Sequence, residues 1–271
     1  MLKQRILTAL IIAPLALWGL FGLSADYYVL FVSAIVLVGG WEWANLSGVS
    51  VSRRLIYPIV MALVLLGLDY VRSPDIDLAI LYGAAVAWLA AFWFVIQYPK
   101  NAIWTSVPAR LVIGFIVLIP CWIGFVELRT NLWFGKEALL YILLLVWCAD
   151  IGAYFAGRRF GKAKLAPKVS PGKSWAGVYG GLVATTVLAI ACSFYWGLNN
   201  SDRITLLLIT LMVTAVSVLG DLFESMVKRH RGIKDSSQLL PGHGGVMDRI
   251  DSLTAAVPLF VLSLKLTGLY L

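Results

Sequence analysis

Residues 203–265 read RITLLLITLMVTAVSVLGDLFESMVKRHRGIKDSSQLLPGHGGVMDRIDSLTAAVPLFVLSLK, two greasy runs on either side of a stretch rich in Lys, Arg, His, Asp and Gly. Each run approaches the roughly 20 apolar residues that a helix needs to cross a bilayer. Similar runs recur along the whole chain, near 5–23, 27–47, 55–70, 78–98, 109–127, 138–156, 175–198, 203–223 and 252–270. The expectation is an all-α, polytopic integral membrane protein of about nine transmembrane helices. The third run is short and is interrupted by Pro58 and Gly67.

Composition supports this class. Hydrophobic residues make up 61% of the 271 positions and charged residues 13%, with a mean hydropathy of +0.87, which excludes an ordinary soluble domain. The N-terminal run resembles a signal peptide, but no small-residue cleavage site follows it and many more spans do, so it reads as a retained first helix. Cys121, Cys148 and Cys192 are far apart in apolar runs and fit neither a disulfide framework nor a zinc spacing.

In a soluble protein the net charge of +8 would suggest nucleic acid; here topology explains it, and no nucleic-acid partner is expected. Alternating the loops puts 17 basic residues on one side, among them Lys3, Arg5, Arg53, Arg54 and both long polar loops. The other side holds Arg72, Arg129, Lys136, Arg203 and Lys265, the remaining 5 of the 22. Excess Lys and Arg mark the cytoplasmic face, so the N-terminus is expected inside and the C-terminus outside. The whole chain, 1–271, reads as one transmembrane domain: N-terminal helices over 1–130, then helices 138–271 carrying the polar loops 157–174 and 224–251. The lack of an internal repeat weighs against a transporter of an anion or lipid.

The ionisable residues near the spans are the candidates for chemistry, because charge in hydrocarbon is costly and tends to be retained for a use. Asp221, Glu224 and Ser225 fall at i, i+3 and i+4 on one helical face, with Lys228 a turn later. Asp248 and Asp251 are again three apart, at the start of the last helix, with Arg249 between them. Asp221 and Asp248 would suit Mg²⁺, which takes one or two carboxylates plus substrate phosphates. Both positions also suit plain helix-end electrostatics, with no metal at all. Lys228, Arg229, Lys234 and Arg249 would face phosphates. Gly242, Gly244 and Gly245 permit positive φ and close approach of a ligand, and His243 between them would bind phosphate, shuttle a proton or serve as an ordinary loop residue.

The other polar loop, GRRFGKAKLAPKVSPGKSW, serves equally well as a basic orientation signal. Its Gly172-Lys173-Ser174 is not a P-loop: position 167 is Pro where that motif needs Gly, and no strand is expected before it. Lys173 can still meet a phosphate as a point charge. Asp150 interrupts an apolar span, with Tyr154 a turn on, and is a candidate by that position alone. Glu42 and Glu127, near span ends, receive no role.

These residues match a family. Ser225-x-Val227-Lys228-Arg229, Lys234-Asp235, Leu240-Pro241-x-His243-Gly244-Gly245 and Asp248-Arg249-x-Asp251 together resemble the signature of the phosphatidate cytidylyltransferases, also called CDP-diacylglycerol synthases. The SPGKSWAG segment is similar too, except that Ala176 stands where many relatives carry Glu. The firm likeness covers the C-terminal half; the first spans resemble the family in hydropathy only.

The resemblance implies transfer of the cytidylyl group of CTP to phosphatidate, with Mg²⁺ required and a monovalent cation such as K⁺ as the candidate second ion. It implies a bacterial inner membrane, a site open to the cytoplasm, contact with membrane lipids and a homodimer. Carried over residue by residue, the catalytic set is Asp221, Asp248, Lys228 and Arg229. The substrate-binding set is Lys173, Ser225, Lys234, Asp235, His243, Gly244, Gly245, Arg249 and Asp251. Asp221 and Asp248, with Asp150, are the metal candidates. The rival enzyme is a CTP- or ATP-dependent kinase of a lipid alcohol, which would release a nucleoside diphosphate rather than pyrophosphate.

Overall fold

A computed structural model of the chain describes residues 2–100, 103–130, 135–269 and 271; the side chains of Lys3 and Arg5, counted above for orientation, lie outside the described set. Nine α-helices occur among the described residues: α1 Leu2–Leu17, α2 Ala25–Leu46, α3 Ile56–Val71, α4 Pro74–Gln97, α5 Val107–Thr130, α6 Gly135–Phe160, α7 Trp175–Tyr195, α8 Asn200–Arg231 and α9 Met247–Thr267. Eight of the helical segments are long and apolar enough to cross a membrane. The shorter α1 contains Pro14 and widens into a π-helical turn over Trp18–Gly22. The third helix forms despite Pro58, which sits in the first turn of α3, where the lost N–H has no intrahelical partner to begin with.

The two central helices are α5 and α9, each 67% buried over its most apolar window, whereas α3 and α4 are only 17% and 22% buried. The outward side chains of α3, α4 and α7, such as Leu63, Leu66, Val86, Leu89 and Val183, are exposed and apolar, as lipid contact requires. Helices α6 and α7 approach backbone to backbone. A methyl group on Gly180 would lie 2.3 Å from Ala156 Cβ and 2.5 Å from Gly152 O, and one on Gly152 would lie 2.4 Å from Gly180 O. Without a hydrophobic force between helices inside lipid, such small-residue contact is what packs them closely.

Both polar stretches are more ordered than the sequence suggests. Instead of ending near residue 223, α8 runs on unbroken to Arg231. Its 32 residues span about 48 Å at 1.5 Å each, well beyond a ~30 Å hydrocarbon core, so its charged end projects past the apolar layer. Gly232, at φ +76°, closes it in the left-handed conformation. Helix α9 starts at Met247, earlier than expected, so the irregular connection is only 232–246.

In the other stretch α6 continues to Phe160, and an antiparallel hairpin follows, β1 Lys164–Ala166 with β2 Ser170–Ser174. A strand therefore does precede the Gly-Lys-Ser segment, but the segment is itself part of β2 and position 167 is Pro, so it remains outside the P-loop pattern. Ser174 caps α7, its Oγ accepting from Gly177 N at 3.2 Å.

At the far end of the bundle a second charged group ties four helices together. Arg72, after α3, pairs with Asp77 of α4 at 2.7 Å and Glu127 of α5 at 3.2 Å, and Lys265 of α9 reaches Glu127 at 2.6 Å. The Arg72 guanidinium also lies over the Trp122 ring. Glu127, given no role from sequence, is the hub of this cluster.

Candidate active site

The ends of α6, α7, α8 and α9 meet beside the hairpin and enclose a cavity of about 380 Å³. Its polar wall includes Asp150 and Arg158 of α6, Lys173 of β2 and Ser252 of α9, and the close α6–α7 contact contributes Gly157, Gly177 and Gly181. Because α6 and α7 touch through glycine, no side chain fills this space. Lys173 leans from the hairpin onto α8, its Nζ 2.8 Å from Asp221 Oδ2, and Ser225 Oγ donates to Asp221 Oδ1 at 3.2 Å. The Asp221 side chain stays 30% exposed. Asp150 is within electrostatic reach of Lys173, Asp221 and Arg249, and Asp251 is within reach of Asp221, Lys173 and Lys228.

One turn along α8 the network closes up. Lys228 Nζ is 2.7 Å from Glu224 Oε2 and 2.6 Å from Asp248 Oδ1, and all three side chains are less than 10% exposed. Asp248 Oδ2 accepts from Ser236 N at 2.9 Å, Ser236 Oγ at 2.9 Å and Gly245 N at 2.8 Å. Buried charge is tolerable only with this density of partners. The second oxygen of Glu224 has none.

Two of the three glycines take the left-handed conformation the sequence suggests, and the space beside Gly244 and Gly245 is filled by protein. Gly242 and Gly244 have positive φ, at +78° and +83°, but the close neighbours are protein carboxylates. A methyl on Gly244 would lie 2.6 Å from Asp248 Oδ2, and one on Gly245 2.4 Å from Glu42 Oε1.

The remaining candidates lie around this core. Arg229 donates to Ile233 O at 3.0 Å and so braces the turn after α8. Lys234, Asp235 and Arg249 are exposed. His243 donates its backbone N–H to Leu240 O, and its Nδ1 is buried without a partner. The structure thus brings Asp150, Lys173, Asp221, Ser225, Asp251 and Arg249 to one place, and Lys228 and Asp248 to the adjoining one. Of these candidates Asp150 and Lys173 line the cavity itself, and the others lie next to it or, like Lys234, Asp235 and His243, outside this network.

The donor set fits Mg²⁺ in part. Among the described residues no three His, Cys, Asp or Glu side chains form a ready-made cage, so an ion here would have to take waters and substrate phosphates as its other ligands. Asp221 offers a partly open carboxylate; Asp248 can offer Oδ1 only when Lys228 leaves it. Next to the cavity wall, which holds Asp150, Arg158 and Lys173, the carboxylates Asp150, Asp221, Glu224, Asp248 and Asp251 form a network with the cations Lys173, Lys228 and Arg249, and carboxylates stay in excess even with Arg158 counted.

The model of the cytidylyltransferase family matches residues 3–267 of this chain. The chain belongs to that family. Among relatives, it is 46% identical to the phosphatidate cytidylyltransferase of Pseudomonas aeruginosa, over 99% of this chain and 98% of that protein. It is 45% identical to the one from Haemophilus influenzae, covering 96% and 97%, and 32% identical to the one from Thermotoga maritima, covering 98% and 97%. The likeness therefore spans the N-terminal helices too, which hydropathy alone had linked to cytidylyltransferases.

Two residues beside this candidate site were given no role by the sequence reading: Glu42 and Ser236. Glu42, from α2, is fully buried and accepts four hydrogen bonds from the 236–247 segment. The signal was present, since Glu42 interrupts an apolar run just as Asp150 does.

Proposed function

We propose that this chain transfers the cytidylyl group of CTP to phosphatidate, giving CDP-diacylglycerol and pyrophosphate, at the cytoplasmic face of a bacterial inner membrane. The observation that carries the reading is the cavity beside Asp150, Lys173 and Asp221, at the end of the bundle that also holds Arg158, Arg229, Lys234 and Arg249. An acceptor fixed at headgroup depth needs a site at that depth, and a basic rim draws anionic lipid and nucleotide together. The same basic excess supports nine spans, with α1 as the first, an inside N-terminus and an outside C-terminus.

In the reaction an oxygen of the lipid phosphate forms the new bond to the α-phosphorus of CTP. The bond to the pyrophosphate breaks, and pyrophosphate departs with its electron pair. The attacking phosphate is already deprotonated at neutral pH, so no strong general base is required. Lys173 and Arg158 in the wall, with the exposed Arg249 and Lys234, would hold phosphates and offset the charge that develops on the leaving group. Asp221 and Asp248, with Asp150 beside them, would hold Mg²⁺, which supplies charge neutralisation across the nucleotide phosphates.

The test is a nucleotide panel with purified protein, phosphatidate and Mg²⁺. CTP should give pyrophosphate and CDP-diacylglycerol in equal amounts. Release of a nucleoside diphosphate instead would indicate the lipid-alcohol kinase reaction and overturn the reading.

A further inference from the structure

Glu42 lies in α2, whose other buried residues are apolar or small, yet its carboxylate is completely buried and no lysine, arginine or histidine pairs with it among the described residues. Its charge is met by four donors. Oε2 accepts from Ser236 Oγ at 3.1 Å and Met247 N at 2.6 Å; Oε1 accepts from Ser237 Oγ at 2.5 Å and Val246 N at 3.0 Å.

The two amides stand at the start of α9, a helix whose own N-cap residue, Val246, supplies no capping side chain. Glu42 therefore caps α9 from a helix about 200 positions earlier in the chain, and its negative charge faces the positive end of that helix dipole. The two hydroxyls belong to the other end of the same connection, so one carboxylate fastens both ends of the segment from 236 to 247. Ser236 Oγ lies 2.9 Å from Asp248 Oδ2 as well, so its one proton is shared between the two carboxylates and a single atom links Glu42 to the candidate metal carboxylate. Gly245 leaves the room: any side chain there would collide with Ser236 Oγ at 2.1 Å and Glu42 Oε1 at 2.4 Å.

We propose that Glu42 is a positioning residue for nucleotidyl transfer, holding Asp248 and the first turn of α9 in the geometry the reaction needs. This rests on the assignment of Asp248 to the reaction. Glu42 touches the protein alone, so its effect must pass through the segment it fastens. Glu42→Gln keeps the shape but turns an NH₂ group toward N–H and O–H donors, so at least one of the four bonds is lost.

The experiment measures kcat, KM for phosphatidate and amide hydrogen exchange for wild type, Glu42→Gln, Asp248→Asn, the double variant and Ser237→Ala. Glu42→Gln should lower kcat about 10- to 100-fold, the scale of a small misplacement of reacting groups, with KM within about twofold. Exchange should rise across 236–250 while 110–128 stays as in wild type. Ser237→Ala, which removes one donor and is the milder change, should lower kcat a few-fold.

The double variant should be no slower than Asp248→Asn alone, because residues acting as one unit do not lose activity twice. Losses that multiply would overturn the proposal, as would a Glu42→Gln enzyme with normal kcat per folded molecule beside an inactive Asp248→Asn. If Asp248→Asn itself keeps normal turnover, the assignment of Asp248 fails, and the positioning role falls with it.

Discussion

Among the described residues the bundle holds two buried charge clusters, one at each end, and they are built from the same residue types. At the far end Arg72 and Lys265 meet Asp77 and Glu127, two cations for two carboxylates, packed between four helix ends and capped by Trp122. At the cavity end five carboxylates face Lys173, Lys228 and Arg249, with Arg158 in the wall, so negative charge is in excess. Asp221 is 30% exposed, Glu224 keeps a buried oxygen without a partner, and open space lies alongside. A balanced, closed cluster is a staple, since removing any member leaves an uncompensated charge. An unbalanced cluster beside a cavity has capacity left for a cation and for phosphates. Balance and access, more than burial, distinguish the two clusters.

The strongest way to break the comparison is to remove single charges at the cavity end. Asp221→Asn and Asp248→Asn should each lower turnover by at least about 10²- to 10³-fold, the usual loss for one electrostatic contact to developing charge. Pyrophosphate release, normalised to folded protein, checks this.

Lys228→Ala comes next and acts differently. It strands Glu224 and Asp248 without their cation, which typically costs about 3–5 kcal/mol for a buried pair, so both thermal stability and turnover should fall. Arg229→Ala should be milder, a few-fold in rate, because its partner is the Ile233 carbonyl at the turn.

At the smallest end of the rate scale stands Glu127→Gln. It should lower the melting temperature by removing the hub of the far cluster, yet leave turnover per folded molecule within about twofold of wild type. A large loss of kcat there would erase the distinction between the two ends.

The apolar helices were legible because a bilayer demands long runs without charge, and hydropathy reads such runs directly. Helix ends were not: the last turns of α8 and the first of α9 are polar because they emerge from the apolar layer, and composition alone reads polar residues as loop. The hairpin was hidden for a related reason, since backbone pairing holds its Lys, Gly and Pro residues. Asp221, Ser225 and Lys173 were visible as candidates, but the pairing of Lys173 with Asp221 links distant segments that no local pattern joins.

Lys228 shows the limit most clearly. Its spacing from Glu224 was readable as an i, i+4 pair, but the approach of Asp248, which turns a phosphate-binding candidate into an internal counter-ion, depends on how α8 and α9 pack. Glu42 was visible as an odd residue and invisible in purpose, because its partners lie about 200 positions away.

The most direct test of the account is divalent-ion binding itself, followed by electron paramagnetic resonance with Mn²⁺ in place of Mg²⁺ and CTP at fixed concentration. Wild type and Glu127→Gln should hold protein-bound Mn²⁺ at the same occupancy, and Asp221→Asn should lose it. Equal binding by wild type and Asp221→Asn would contradict the claim that the unbalanced end of the bundle is where the ion and the nucleotide meet.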